Sequence, residues 1–207
     1  AKFASYDDTP PPERPRDPEP AQDGVRVCVM HDSVRESRLE IAWPLPAVDH
    51  PDIPLADVLA VILGQGESSR LNQEVRIRRR LVNSIQTYAY TPRDPGIFLV
   101  GAGCPVEHTT DAIEAIGEVL ARVVAEGVTT EEVRRAVVNI LSDRTYERET
   151  VEGIARKLGY FDALFGDPSA EATYYAAIAE ITPAAIQDLA RRLFTASHST
   201  LGLLAPR

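Results

Sequence analysis

The chain has 207 residues, 44% of them apolar and 26% charged, which is length and balance enough for a globular domain with a buried core. Its formal net charge of −9 argues against nucleic-acid binding, which needs a net basic face. No apolar run approaches the roughly 20 residues that a membrane-crossing helix requires.

The first 24 residues hold six of the 16 prolines (Pro10, Pro11, Pro12, Pro15, Pro18, Pro20) and nine charged residues. Proline removes backbone donors and disfavours helix, so residues 1–24 are expected to form an extended linker, with another unit ahead of it in a longer protein. Residues 25–207 are expected to form the folded domain. Val25, Val27 and Val29 alternate with Arg26 and Cys28, which predicts a strand over 25–30, and Leu39, Ile41 and Trp43 predict another over 38–44. Ile53, Leu55, Val58, Leu59 and Ile62 recur at helical spacing over 51–63. Gly64 and Gly66 end that helix, and Ser68 or Ser69 is placed to cap the next one, over 70–81.

Strands over 83–91 and 96–104 follow, joined by Pro92-Arg93-Asp94-Pro95-Gly96, a turn signal that predicts an antiparallel hairpin. Beyond Pro105 the pattern is helical: 111–125, then a long helix towards Glu149 opened by the capping box of Thr129 and Glu132, then 151–165, 169–181 and 183–194. Pro183 takes a favoured first-turn position behind Thr182. A strand over 199–205 closes the pattern. Strands, a hairpin, a helical block and a returning strand make an α+β domain, an antiparallel sheet with helices packed on one face.

Few residues carry recognisable chemistry. Cys28 and Cys104, in apolar strand-like surroundings, read as two buried thiols, with a disulfide or a metal pair as the alternative; the lack of a CxxC or a Cys/His cluster argues against a structural zinc site. The loop from Gly64 to Ser69 lacks the Gly-Lys-Ser/Thr of a phosphate-binding loop, and no serine stands in a nucleophile elbow. His108, after Pro105, reads as a surface-loop histidine. Arg70, Arg76, Arg78, Arg79 and Arg80 form a local basic cluster, with Arg76 and Arg80 on one helix face. This cluster is either a chamber wall or a solvated face paired with Glu74.

The run from Ile62 to Leu71, Gly64-Gln65-Gly66-Glu67-Ser68-Ser69-Arg70-Leu71 at its heart, resembles the glycine-rich loop of the second domain in the pitrilysin/insulinase-like (M16) zinc metallopeptidases. So do the lead into the first strand (Glu19 to Val27), Asp94-Pro95-Gly96-Ile97-Phe98, Thr129-Thr130-Glu131-Glu132-Val133, and Glu152 to Gly159 followed by Phe165-Gly166-Asp167-Pro168. The resemblance implies the mitochondrial-processing-peptidase-like fold and a role as the non-catalytic domain that completes a peptide chamber opposite a zinc-bearing domain. It implies a partner domain, in the same chain or another subunit, that carries the zinc and acts on a peptide substrate. The zinc motif His-x-x-Glu-His is missing here: His31, His50, His108 and His198 all lack it. No catalytic or metal residue is therefore expected in this chain.

Gly66, Ser68, Ser69, Arg70 and Arg76 are the substrate-side residues that the resemblance points to. Family members place a tyrosine seven residues after the arginine that matches Arg76, whereas this chain has Asn83. The alternative reading is a proteolytically inactive assembly subunit of the same fold. The bacterial periplasm and the cytoplasm both remain open as compartments.

Overall fold

The computed structural model describes residues 20–207; most of the expected proline-rich linker, residues 1–19, lies outside them. The period-two segments become strands β1 (Arg26–Asp32), β2 (Ser37–Leu45), β3 (Ser84–Tyr90), β4 (Gly96–Cys104) and β5 (Thr200–Pro206), in a single sheet ordered β1-β5-β2-β4-β3. The β3–β4 hairpin is antiparallel, as are β2–β4 and β2–β5. The β1–β5 pairing is parallel, Arg26 lying opposite Thr200, so the sheet is mixed where a wholly antiparallel one was expected. No hairpin constrains strands with the whole domain between them, and a long crossover is compatible with parallel pairing.

Among the described residues there are also six α-helices: α1 (Ile53–Gly64), α2 (Thr109–Glu126), α3 (Thr130–Glu147), α4 (Val151–Phe165), α5 (Ala170–Ala179) and α6 (Pro183–Leu193). Their ends follow from local chemistry. Thr129 and Glu132 form the reciprocal capping box, and Thr150 and Thr182 accept hydrogen bonds from Gly153 and Ala185. Gly166 ends α4 at φ +70°, a left-handed position suited to glycine. Nearly every residue of α1 is buried, as befits a helix that is apolar all round.

The helices cover the sheet face that carries Leu39, Ile41, Trp43, Phe98 and Val100. The other face shows Arg38, Glu40, Tyr88 and Tyr90 to solvent. Phe194, just past α6, makes edge contacts with Trp43 at 5.0 Å and with Phe98 at 5.5 Å, pinning α6 to the sheet.

β1 departs from the sequence pattern. Alternation predicts one buried face, yet the whole strand is exposed, Val27 to 61% and Val29 to 51%. Among the described residues, no helix reaches over this edge of the sheet. Cys28 is exposed with it, so only Cys104 is the buried thiol expected of both. Burial pushes the Cys104 thiol pKa up, against the pull of the neighbouring Thr109 hydroxyl.

Candidate functional site

The glycine loop is built from α1 outwards. A Cβ on Gly64 would stand 2.5 Å from Thr87 Oγ1 and 2.6 Å from Thr87 N, so only glycine lets the end of α1 lie against β3. Gly66 then turns the chain at φ +78°. Ser69 donates through Oγ to Gly66 O at 2.7 Å, and Ser68 stays exposed. No side-chain hydrogen bond caps the helix that follows: the Ser69 hydroxyl is turned back into the loop.

Buried Asn72 ties this corner together. Its Nδ2 donates to Ser69 Oγ at 3.0 Å, Gly64 O at 3.3 Å and Ile85 O at 3.4 Å. Its Oδ1 accepts from Arg76 Nη1 at 3.0 Å, and Arg76 Nη2 reaches Glu67 Oε1 at 3.3 Å. Gly66, Glu67, Asn72, Arg76, Gln86 and Tyr88 share a groove of about 510 Å³ between the loop and the edge strand β3. Gly66 and Arg76 thus meet in one place, with the guanidinium held from behind and its side chain 36% exposed. Such a group can donate to the carbonyl oxygens of an extended peptide.

The rest of the arginine cluster is structural. The helix over Asn72–Arg78 has wide turns, with Arg79 N bonded to Glu74 O and Leu81 N to Val75 O. Arg80 adopts φ +56°, so Arg76 and Arg80 do not share the regular helix face that a uniform 3.6-residue period suggests. Glu74 accepts from Arg78 and Arg79, and Arg79 also reaches Glu118 on α2 at 2.6 Å. These pairs stitch the wide helix to α2.

Arg70 belongs to a different contact. Its Nε and Nη2 donate to the two carboxylate oxygens of Glu132 at 2.6 and 2.8 Å, so the carboxylate that closes the capping box of α3 also anchors the loop. Burial raises the Glu132 pKa, but the hydrogen bonds from Arg70 and Thr129 outweigh it and bring the value down to about 2. A folded pKa below the ordinary value near 4.5 contributes stability that is complete above pH ~4.5 and is lost as pH falls towards ~2. Glu132→Ala should cost about 1–2 kcal/mol at pH 7, a figure reduced for the solvent that reaches the pair. Urea unfolding of both proteins at pH 7 and pH 3 checks this: the gap between them should narrow in acid, and a constant gap refutes the assignment.

Asn83 is not at the groove. Its Nδ2 donates to Glu36 Oε2 at 2.8 Å, beside a separate cleft lined by Arg35, Arg38, Val106 and Glu107. His108 lies in a short turn as a half-buried residue, and its Nδ1 is enclosed without a hydrogen-bond partner among the described residues. Among the same residues, no three His, Cys, Asp or Glu side chains gather to hold a metal ion, so the residues present do not fit a catalytic zinc. No helix among them is long and apolar enough to cross a membrane.

The sequence reading missed Asp57. It is a lone carboxylate inside the apolar helix α1, enclosed in a cleft among α3, α4 and α5. Its isolation in the run Leu55-Ala56-Asp57-Val58-Leu59 was the available signal.

Comparison with known proteins gives the family and the fold. The family model for the peptidase M16 inactive domain matches residues 1–139. An uncharacterized zinc protease of Streptomyces coelicolor is 32% identical over 134 residues, covering 65% of this chain and 29% of the relative. A protease from Helicobacter pylori has the same fold, with a TM-score of 0.89 at 24% identity over 97% of this chain and 49% of that one. A peptidase M16 inactive domain from Pseudomonas fluorescens gives 0.84 at 18% identity, over 95% and 47%. The chain spans about half of each of these two structures and under a third of the curated relative. It belongs to the peptidase M16 inactive-domain family.

Proposed function

We propose that this chain is the substrate-side half of a zinc-protease-type protein, completing a peptide chamber opposite a domain that carries the zinc. The observation that supports this most directly is Arg76, held by Asn72 and Glu67 at the rim of the groove beside Gly66. A guanidinium oriented in advance can grip the carbonyls of an extended peptide without first giving up its own freedom. The exposed loop at Gly66 and Ser68 leaves room for the peptide backbone. Arg70, with Ser69, serves the same site by fixing the loop. The valine face of β1 offers apolar surface for contact with the zinc-bearing domain. The metal and the water it activates belong to that other domain.

The test uses the zinc-loaded parent protein. Arg76→Ala should lower kcat/KM for peptide hydrolysis by about 10–100-fold with the melting temperature unchanged. Unchanged turnover overturns the role of Arg76. A folded, zinc-supplied parent that cleaves no member of a broad peptide library points instead to an assembly subunit of the same fold.

A further inference from the structure

A second cleft, of about 400 Å³, opens between α1 and the helices of the C-terminal half and is distinct in its chemistry from the Arg76 groove. Ile53, Asp57 and Val61 on α1 face Ile140, Arg144 and Glu147 on α3, two stripes at three- and four-residue spacing. α4 and α5 close it with aromatic rings: Tyr160, Phe161, Phe165, Tyr174 and Tyr175. Phe161 packs 5.3 Å from Tyr160, 5.5 Å from Phe165 and 6.1 Å from Tyr174.

The charges in the cleft are uneven. Asp57, Asp143 and Glu147 supply three carboxylates against the two cations Lys157 and Arg144. Both cations are already engaged, Lys157 with Glu147 at 2.9 Å and Arg144 with Glu171 at 3.1 Å. Among the described residues, Asp57 and Asp143 have no ion-pair partner. Asp57 has the Tyr174 hydroxyl, which donates to its Oδ2 at 2.6 Å. Burial and the neighbouring carboxylate push the Tyr174 phenol pKa up, so it remains a donor. Asp57 is half-buried, and such a carboxylate with one neutral donor is incompletely compensated in its ionised form. Aromatic faces beside a carboxylate are the surroundings in which an organic cation is held, through charge and through the ring quadrupoles.

We propose that the cleft around Asp57 binds an organic cation, a primary ammonium or guanidinium group on a short apolar stem. The head sits against Asp57 and Asp143, and the stem lies along Tyr160, Phe161 and Tyr174. The same chemistry is found on a free amine and on the lysine or arginine side chain of a peptide. Gln65 lines both this cleft and the Arg76 groove, so a peptide in the groove lies near enough to present such a side chain. The site does not depend on the proposed function, because binding is measured on the chain itself.

Burial raises the Asp57 pKa to about 6, against the opposing effects of Tyr174 and Lys157. The ionised fraction then falls from ~0.9 at pH 7 to ~0.1 at pH 5. Every titratable group lining the cleft is among those named: Asp57 on α1, Asp143, Arg144 and Glu147 on α3, Lys157 and Tyr160 on α4, Tyr174 and Tyr175 on α5.

The experiment titrates the chain with butylammonium chloride, with 1-butanol as the neutral match, and follows the tyrosine ring signals by NMR. Butylammonium should bind with a Kd on the order of millimolar and butanol at least ~10-fold more weakly. Affinity for the cation should drop about tenfold between pH 7 and pH 5. Asp57→Asn should weaken binding by at least ~10-fold at pH 7. Equal binding of butanol, no response to butylammonium, or undiminished binding by Asp57→Asn overturns the proposal, and the first two readings need no variant to fold. A capped Gly-Lys-Gly peptide distinguishes the sources. Tighter binding than butylammonium identifies a side-chain pocket, and weaker or equal binding identifies a free-amine site; Arg76→Ala should leave butylammonium binding unchanged.

Discussion

Phe98→Ala should destabilise the chain by about 3–5 kcal/mol, lowering the melting temperature on the order of 10 °C. Phe98 is fully buried on the interior strand β4, and its ring meets Phe194, which in turn meets Trp43. Removing the ring leaves a cavity between two layers joined through that trio, and neighbours on a β-strand cannot collapse into it freely. Phe98→Leu, which keeps most of the volume, should cost roughly 1 kcal/mol. Tyr146→Ala, at a ring 66% exposed, serves as the control. Thermal unfolding of the three proteins decides the matter: similar losses for alanine and leucine at position 98 would mean that the ring trio does not carry the join.

Arg144→Ala comes next, with an expected loss of about 2–4 kcal/mol. Glu171 is buried, its side chain only 4% exposed, and it depends on Arg144 Nε at 3.1 Å and Arg148 Nη2 at 2.7 Å. The Arg144 guanidinium also lies 4.3 Å over the Tyr175 ring, so its removal takes a cation–π contact along with half of the compensation for a buried charge. Arg148→Ala should cost less, because that arginine is half-exposed and makes the single contact. In a Glu171→Ala background the Arg144→Ala loss should shrink markedly, since the charge it compensates is gone. A loss of the same size in both backgrounds refutes the account.

What could be read from the residues alone was local. The Thr129–Glu132 capping box, the Thr182–Pro183 helix start and the Pro-Arg-Asp-Pro-Gly hairpin are each written within a few neighbouring positions, and all stand in the structure. The wide turns around Asn72–Arg78 were not legible, because apolar spacing does not separate i→i+5 from i→i+4 bonding. The exposure of β1 was hidden for a related reason: alternation says which side chains share a face, not whether anything covers that face. At the candidate site, Gly66 and Arg76 are the positions the resemblance points to, whereas Asn72, which bonds both Ser69 and Arg76, has no sequence signature. Asp57 gains its surroundings from α3, α4 and α5, and only the tertiary fold assembles those.

The position of β5 has a consequence for synthesis. It lies between β1 and β2 in the sheet, yet its partner residues on β1 are about 170 positions earlier in the chain. A ribosome adds that length on the order of ten seconds, during which β2 has a bare edge and β1 has no partner at all. The nascent chain therefore carries an unsatisfied strand edge until translation is well past the last helix, the interval in which a holdase or a wrong neighbour competes for it.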